Sequence, residues 1–131
     1  MPSPLTDNIT TLLSKYLDVQ SRRAETVAGN LANADTPGYA AKRLDFTDFL
    51  SDAARDALNP TAAEAGTRAG GVLGLPRVVE REGAAAGLDG NNVDSGREMA
   101  ELSESGMQYL AGTQLLQSRL RTLRAAIREG R

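Results

Sequence analysis

The chain of 131 residues contains no cysteine, histidine or tryptophan, and only 4% of its residues are aromatic. It therefore lacks the imidazole of general-base catalysis, the thiol nucleophile and the usual zinc ligands, and it forms no disulfide. Carboxylates are the main groups left for acid–base chemistry, and nothing in their spacing indicates a catalytic pocket. We expect no enzyme, no catalytic or metal-binding residue and no cofactor.

Charge of one sign and long apolar runs are also missing. The formal net charge is −2 with both signs spread along the chain, which predicts no nucleic-acid partner. No run of eighteen apolar residues predicts a membrane span, and residues 1–4 lack the basic and apolar regions of a cleavable signal peptide. With 40% hydrophobic and few aromatic residues, the composition suits thin helical packing rather than a thick core.

Apolar residues near the start of the chain recur at spacings of three and four, which predicts an amphipathic helix over residues 5–34. The apolar face is broad enough for more than one helical partner. The residues expected to pack on it are Ile9, Leu12, Leu13, Tyr16, Val19, Val27 and Leu31.

A second helix is predicted over residues 93–128, with Asp94 or Ser95 as its N-cap. A seam of alternating three- and four-residue spacings runs through it for about four heptads, as in a coiled coil. Its members are Met99, Leu102, Gly106, Tyr109, Thr113, Leu116, Leu120, Leu123 and Ile127. Glu98, Glu101 and Glu104 flank this seam, and we interpret them as a solvated face.

Between the helices we expect a turn and arm over residues 35–58 and a flexible, Gly- and Ala-rich segment over 59–92. Residues 75–80 are the one strand-like run, and Pro76 argues against a central strand there. The predicted fold class is all-α, with two long helices packed as one discontinuous coiled-coil domain around an extended, largely irregular middle segment.

The end of the first helix carries the most specific local signal. Pro37 fixes its own φ, and Gly38 readily takes the positive φ that a type II turn requires at its third position. Asn30 and Asn33 supply amides for backbone groups freed at the helix end, and Tyr39 anchors the following arm by burying its ring. The residues assigned to this motif are Asn30, Asn33, Thr36, Pro37, Gly38 and Tyr39.

Residues 89–94, DGNNVD, begin like a calcium loop, but the comparison fails further along. Counting from Asp89 places Val93 at position five, Asp94 where glycine is needed, and Ala100 where the bidentate glutamate belongs. We interpret the run as a turn that caps the second helix.

Residues 20–39, QSRRAETVAGNLANADTPGY, closely resemble the signature of the bacterial flagellar rod, hook and hook-associated proteins. Within that family, three further runs and the short length are similar to the proximal rod proteins. These runs are AKRLDF at 41–46, DGNNVD at 89–94 and REMAEL at 97–102.

The resemblance implies a structural subunit of the proximal rod in the flagellar basal body. Such a subunit would polymerise helically around the export channel and link the base of the flagellum to the rest of the rod. Its partners would be itself, other rod proteins and basal-body or export-gate components at the rod base. It would reach the periplasmic space through type III export, without a cleavable signal peptide. The alternatives are another proximal rod protein, or a generic coiled-coil adaptor or secretion chaperone.

Overall fold

A computed structural model describes residues 4–47, 76–83 and 85–129. Its elements are helix α1 (Pro4–Ala32), strand β1 (Lys42–Asp45), strand β2 (Arg77–Glu80) and helix α2 (Ser95–Glu129). The two long helices predicted from the apolar periodicity are confirmed. Neither helix in the described part of the chain is long and apolar enough to cross a membrane.

The helices lie side by side and run antiparallel. Asn30 near the end of α1 contacts Glu98 at the start of α2, and Arg23 lies 3.5 Å from Glu104 one to two turns further along. Gly112 faces α1 so closely that a Cβ atom there would lie 2.9 Å from a methyl carbon of Leu17. Real Cβ contacts are not that short, so glycine permits this approach of the two helices.

The prediction of an all-α fold is wrong in one respect, because β1 and β2 form an antiparallel two-stranded sheet. Their register pairs Lys42 with Glu80 and Asp45 with Arg77. Pro76 immediately precedes β2 and is tolerated because a two-stranded sheet has only edge strands. The strand-like run is therefore a strand, although its partner lies more than thirty residues away in sequence.

The element bounds differ from the predicted ones at the helix ends. Helix α1 ends at Ala32, since the next two amides, of Asn33 and Ala34, donate to carbonyls only three residues back. Helix α2 begins at Ser95, with the Asp94 Oδ1 accepting from the Arg97 N–H at 3.1 Å as an N-cap.

The predicted middle segments lie partly outside the described residues. Residues 48–58 of the arm and 59–75 of the Gly- and Ala-rich segment fall there, as does residue 84. The described remainder of that segment is not irregular throughout, since it contains β2 and a hydrogen-bonded loop over residues 85–92.

The buried core is small. Among the described residues the buried hydrophobic side chains are those of Val19, Val27, Ala41 and Leu44. The core therefore sits where the strand pair covers the C-terminal half of α1, and the rest of the helix pair is thinly covered.

Candidate functional site: a polar junction at the paired helix ends

The chain turns sharply where α1 ends. The Tyr39 N–H donates to the Thr36 carbonyl at 3.2 Å, and Gly38 between them has a φ of +72°. A type II turn requires that positive φ at its third position, and side chains other than glycine adopt it with strain. The Asn33 Nδ2 donates to the Gly29 carbonyl at 2.8 Å, which satisfies one acceptor in the last turn of the helix.

Asn91 closes the end of α1 from across the chain. Its Nδ2 lies 2.9, 2.8 and 2.9 Å from the carbonyl oxygens of Asn33, Ala34 and Thr36. Its Oδ1 accepts from the Val93 N–H at 2.8 Å. A single buried amide thus serves three acceptors beyond the helix terminus, where intrahelical donors have run out.

The loop that carries Asn91 is bonded to the turn through the backbone as well. The Gly38 N–H donates to the Asp89 carbonyl at 2.9 Å. Gly90 has a φ of +79°, and a Cβ atom there would lie 3.5 Å from the Gly38 Cα. The two glycine turns are therefore packed against each other and keep the ends of α1 and α2 together.

Asn30 is fully buried and connects α1 to both β1 and α2. Its Nδ2 donates to the Lys42 carbonyl at 2.8 Å and to the Glu98 Oε2 at 2.9 Å. Its Oδ1 accepts from the Lys42 N–H at 2.8 Å and from the Tyr39 hydroxyl at 3.5 Å. The side chain therefore imitates a strand partner for β1 while it contacts the carboxylate of α2.

Glu98 carries a charge into this buried region, with 0% of the residue exposed. The Arg81 Nη1 donates to its Oε1 at 2.7 Å, and the Arg81 side chain is itself only 9% exposed. The second guanidinium nitrogen lies 3.7 Å from Glu101. Buried ion pairs offset their desolvation cost only when both partners are well bonded, which holds here because Asn30 occupies the other carboxylate oxygen.

Asn92 completes the arrangement by joining the two strands to the loop. Its Oδ1 accepts from the Ala41 N–H at 2.6 Å, and its Nδ2 donates to the Arg81 carbonyl at 3.5 Å. The Arg81 N–H in turn donates to the Ala41 carbonyl at 2.7 Å. We call the set Asn30, Arg81, Asn91, Asn92 and Glu98 the polar junction.

Four of the five members of the polar junction were not predicted as site residues, and one of them, Glu98, was assigned to a solvated face. Arg81 lies in the segment predicted to be flexible, and Asn91 and Asn92 were assigned only to a turn. The run 89–94 does cap α2, through Asp94. Asn91 in the same run instead caps the end of α1. The local signal for them was the pair of adjacent asparagines before α2. Because Asp94 already provides the N-cap, the side-chain amides of Asn91 and Asn92 are left to form hydrogen bonds elsewhere.

The interpretation of the three glutamates as a solvated face is wrong for Glu98 and holds for Glu104. The side chain of Glu104 is 52% exposed, and Glu101 lies between these extremes at 23%. The burial of Glu98 depends on Arg81 and Asn30, which are 17 and 68 positions away in sequence. Helical periodicity carries no information about such partners.

The residues expected to pack the helices divide into three groups by exposure. Val19 and Val27 are buried, and Leu13, Leu31, Leu102, Leu116 and Leu123 are half-buried between the helices. The others are exposed: Ile9, Leu12, Tyr16, Met99, Tyr109, Leu120 and Ile127.

On α2 the inward side keeps the seam leucines Leu102, Leu116 and Leu123, but at the other heptad position it differs by one residue from the predicted seam. Glu98, Ser105 and Gly112 are buried at a heptad interval, beside the half-buried leucines. Met99, one position after Glu98, is 57% exposed. The helix pair thus leaves much of its apolar surface uncovered.

The described part of the chain holds no cluster of three acidic, cysteine or histidine side chains that could bind a metal ion. One carboxyl is perturbed: hydrogen bonds from the Thr47 N–H and hydroxyl, with smaller effects of Arg43 and Arg77, hold the pKa of Asp45 below its ordinary value. That carboxyl caps the turn that follows β1.

Comparison with known proteins places this geometry in context. Residues 17–39 match the family described as flagella basal body rod protein. The chain is 30% identical over 122 residues to the flagellar basal body rod protein FlgB of Salmonella typhimurium, covering 87% of this chain and 88% of the relative. It is 29% identical, with the same coverage, to FlgB of Escherichia coli K12. FlgB of Cereibacter sphaeroides is 30% identical over 115 residues, covering 88% of this chain and 90% of the relative.

Proposed function

The chain belongs to the FlgB family of flagellar basal body rod proteins, and we propose that its two helices form the coiled coil through which it polymerises helically around the flagellar export channel. It is a structural subunit of the proximal rod and not an enzyme. The finer role proposed is to link the base of the flagellum to the rest of the rod, in the periplasmic space, after export without a cleavable signal peptide.

The observation that carries this proposal is the mismatch between a small core and a large exposed apolar surface. Four described hydrophobic side chains are buried, whereas eleven large ones are at least 39% exposed. Contiguous apolar surface of this kind marks sites of protein association. Because the exposed residues lie on several sides of the helix pair, a single partner does not cover them all.

Helical polymerisation follows from contacts that use different surfaces on the two partners. One such surface is an apolar groove of about 450 Å³ between the free halves of the helices, lined by Ile9, Leu12, Leu13 and Leu115 among others. Met99, Met107 and Leu110 lie on another side of α2. Heterologous contacts between unlike surfaces generate open helical assemblies when their rotation does not close. The partners we propose are further copies, other rod proteins and basal-body or export-gate components.

The polar junction has a separate role in this proposal. It ties β1 and β2 to the two helices. We assign the turn residues Asn30, Asn33, Thr36, Pro37, Gly38 and Tyr39 to setting the direction in which the arm leaves the coiled coil. A fixed direction gives every copy in a rod the same shape.

The test places a charge on the exposed apolar surface. Leu115→Glu, at a side chain that is 59% exposed, is expected to abolish motility and remove the chain from isolated basal bodies. The matched control is Gln114→Glu, which makes the same change at the neighbouring exposed residue and is expected to leave both intact. Equal incorporation of the two variants would contradict assembly through this surface.

A second measurement separates the rod subunit from a coiled-coil adaptor or secretion chaperone. An adaptor is a stable, folded small oligomer when purified alone. A rod subunit with this small a core is expected to sediment as a monomer of low helicity that orders on assembly. Circular dichroism combined with analytical ultracentrifugation distinguishes the two outcomes.

A further inference from the structure

A cavity of about 230 Å³ lies between α1, β1 and the first turns of α2, and positive charge dominates its walls. Val27, Leu44 and Phe46 supply apolar wall surface. The charged lining residues are five cations and a single carboxylate: Arg23, Lys42, Arg43, Arg81, Arg97 and Glu101. We call this cavity the cationic pocket. Its sign is opposite to the net charge of −2 on the whole chain.

Nearby carboxylates neutralise only the three cations on one side of the cationic pocket. Arg81 is paired with Glu98, and Arg97 lies 3.1 Å from Glu101. Arg23 lies 3.5 Å from Glu104, outside the pocket wall.

Lys42 and Arg43 are left with no ion pair among the described residues. Lys42 faces Glu80 across the strand pair, but its Nζ lies over the Tyr39 ring, 5.9 Å from the centroid. Arg43 lowers the pKa of Asp45 through its charge without forming a contact within ion-pair distance. Among the described residues, two adjacent cations on β1 therefore border the cavity without an ion pair of their own.

We propose that a carboxylate side chain of a neighbouring rod subunit enters the cationic pocket and pairs with Lys42 and Arg43. The inference rests on the proposed function, because in a rod this surface is covered by another subunit. If a neighbouring subunit covers Lys42 and Arg43 without supplying an anion, the two cations lose their hydration and nothing offsets that free-energy cost. A carboxylate removes that cost, and its geometry suits a guanidinium and an ammonium group together.

Carbodiimide cross-linking of isolated basal bodies tests the proposal directly. The reagent joins an amine to a carboxylate in contact with it, and Lys42 is one of only two lysines in the chain, the other being Lys15. We expect a two-chain product on a denaturing gel, in which mass spectrometry finds Lys42 joined to an aspartate or glutamate of the second chain. Lys42→Arg keeps the charge and removes the amine, so it should retain motility and lose this product.

A second experiment tests whether assembly requires the positive charges of Lys42 and Arg43. The double variant Lys42→Gln with Arg43→Gln should reduce incorporation into basal bodies at least tenfold. The control pair Arg121→Gln with Arg124→Gln makes the same change on exposed residues of α2 away from the pocket and should change incorporation less than twofold.

The possible results separate the two proposals. A Lys42 cross-link only within one chain, for example to Glu80, or none at all in basal bodies that contain the protein, overturns the pocket proposal and leaves the proposed function standing. Unchanged incorporation of the Lys42 and Arg43 double variant overturns it too. Absence of the chain from basal bodies overturns the proposed function itself.

Discussion

Replacing Asn30 tests whether the polar junction holds the helices and strands together. Asn30→Ala removes three hydrogen bonds of 2.8–2.9 Å, to the Lys42 carbonyl, the Lys42 N–H and Glu98. Net hydrogen bonds are worth about 1 kcal/mol each, and the bond to a charged group about 1.5–3 kcal/mol. The buried Glu98 carboxylate also loses a hydrogen-bond donor. We expect a loss of about 3–5 kcal/mol in the free energy of unfolding.

A loss of that size is large beside the 5–15 kcal/mol typical of whole domains, and this chain has few buried side chains with which to absorb it. Each 1.4 kcal/mol is a factor of ten in the folding equilibrium, so the equilibrium constant for folding should fall by about two orders of magnitude or more. The assay is urea denaturation followed by circular dichroism in an osmolyte such as trimethylamine oxide, which favours compact states. Incorporation into basal bodies provides the readout in cells.

Asn30→Asp gives the experiment its sharpest comparison, because the shape of the side chain is retained. The new carboxylate would lie about 3 Å from the Glu98 Oε2, and at an effective dielectric constant of about 20 their repulsion is up to roughly 6 kcal/mol. Asn30→Asp should therefore be less stable than Asn30→Ala. Gln117→Ala, at an exposed position of α2, should stay within about 0.5 kcal/mol of the parent. If Asn30→Ala also stays within 1 kcal/mol, the junction does not stabilise the fold as argued.

Three further predictions concern the turn after α1, the contact between the helices and the carboxyl of Asp45. Gly38→Val forces a branched side chain into a φ of +72° and should block motility while expression is normal, which a swarm assay and an immunoblot will show. Gly112→Ala should lower the free energy of unfolding, measured by urea denaturation in the same osmolyte, because its Cβ would clash with Leu17, whereas Gly106→Ala on the same helix has open space and should raise that free energy by up to about 1 kcal/mol. Thr47→Val removes the hydroxyl bond to Asp45, so NMR titration should show the pKa of that carboxyl rising toward its ordinary value. Since the pKa is lowered on folding, the associated stability is present at neutral pH and is lost as the pH falls through the folded pKa.

The helices and the turn were predictable because their causes are local. Apolar residues at spacings of three and four specify an amphipathic helix wherever the partner lies, and proline followed by glycine specifies the turn from two adjacent residues. Asp94 is likewise a local N-cap. The strand pair was not predictable in the same way, because β1 pairs with β2 across a segment of more than thirty residues and neither strand alternates clearly in polarity. In the polar junction, Asn30 and Glu98 are still further apart, at 68 positions in sequence.

The one-position difference between the predicted seam and the observed inward side of α2 has a physical cause. Periodicity assumes that apolar side chains face the partner helix, but here the inward heptad positions are occupied by Glu98, Ser105 and Gly112. The glutamate is accommodated by the polar junction, and the glycine permits close approach to α1. Helix pairing within one chain thus uses polar and small residues, which add little burial of their own, beside the half-buried leucines at the other heptad position.

An apolar stripe that is not needed for folding the single chain then has another use. If Met99, Leu120 and Ile127 pack against neighbouring subunits, they should be dispensable for the isolated chain and essential in the rod. Met99→Gln is the discriminating variant, since it keeps helix propensity and approximate length while removing apolar character. Measured by urea denaturation in the osmolyte, it should leave the free energy of unfolding within about 0.5 kcal/mol of the parent, and it should reduce incorporation into basal bodies. A lowered free energy of unfolding would instead show that Met99 contributes to the fold of the single chain, and the assignment of this stripe to subunit contacts would fail.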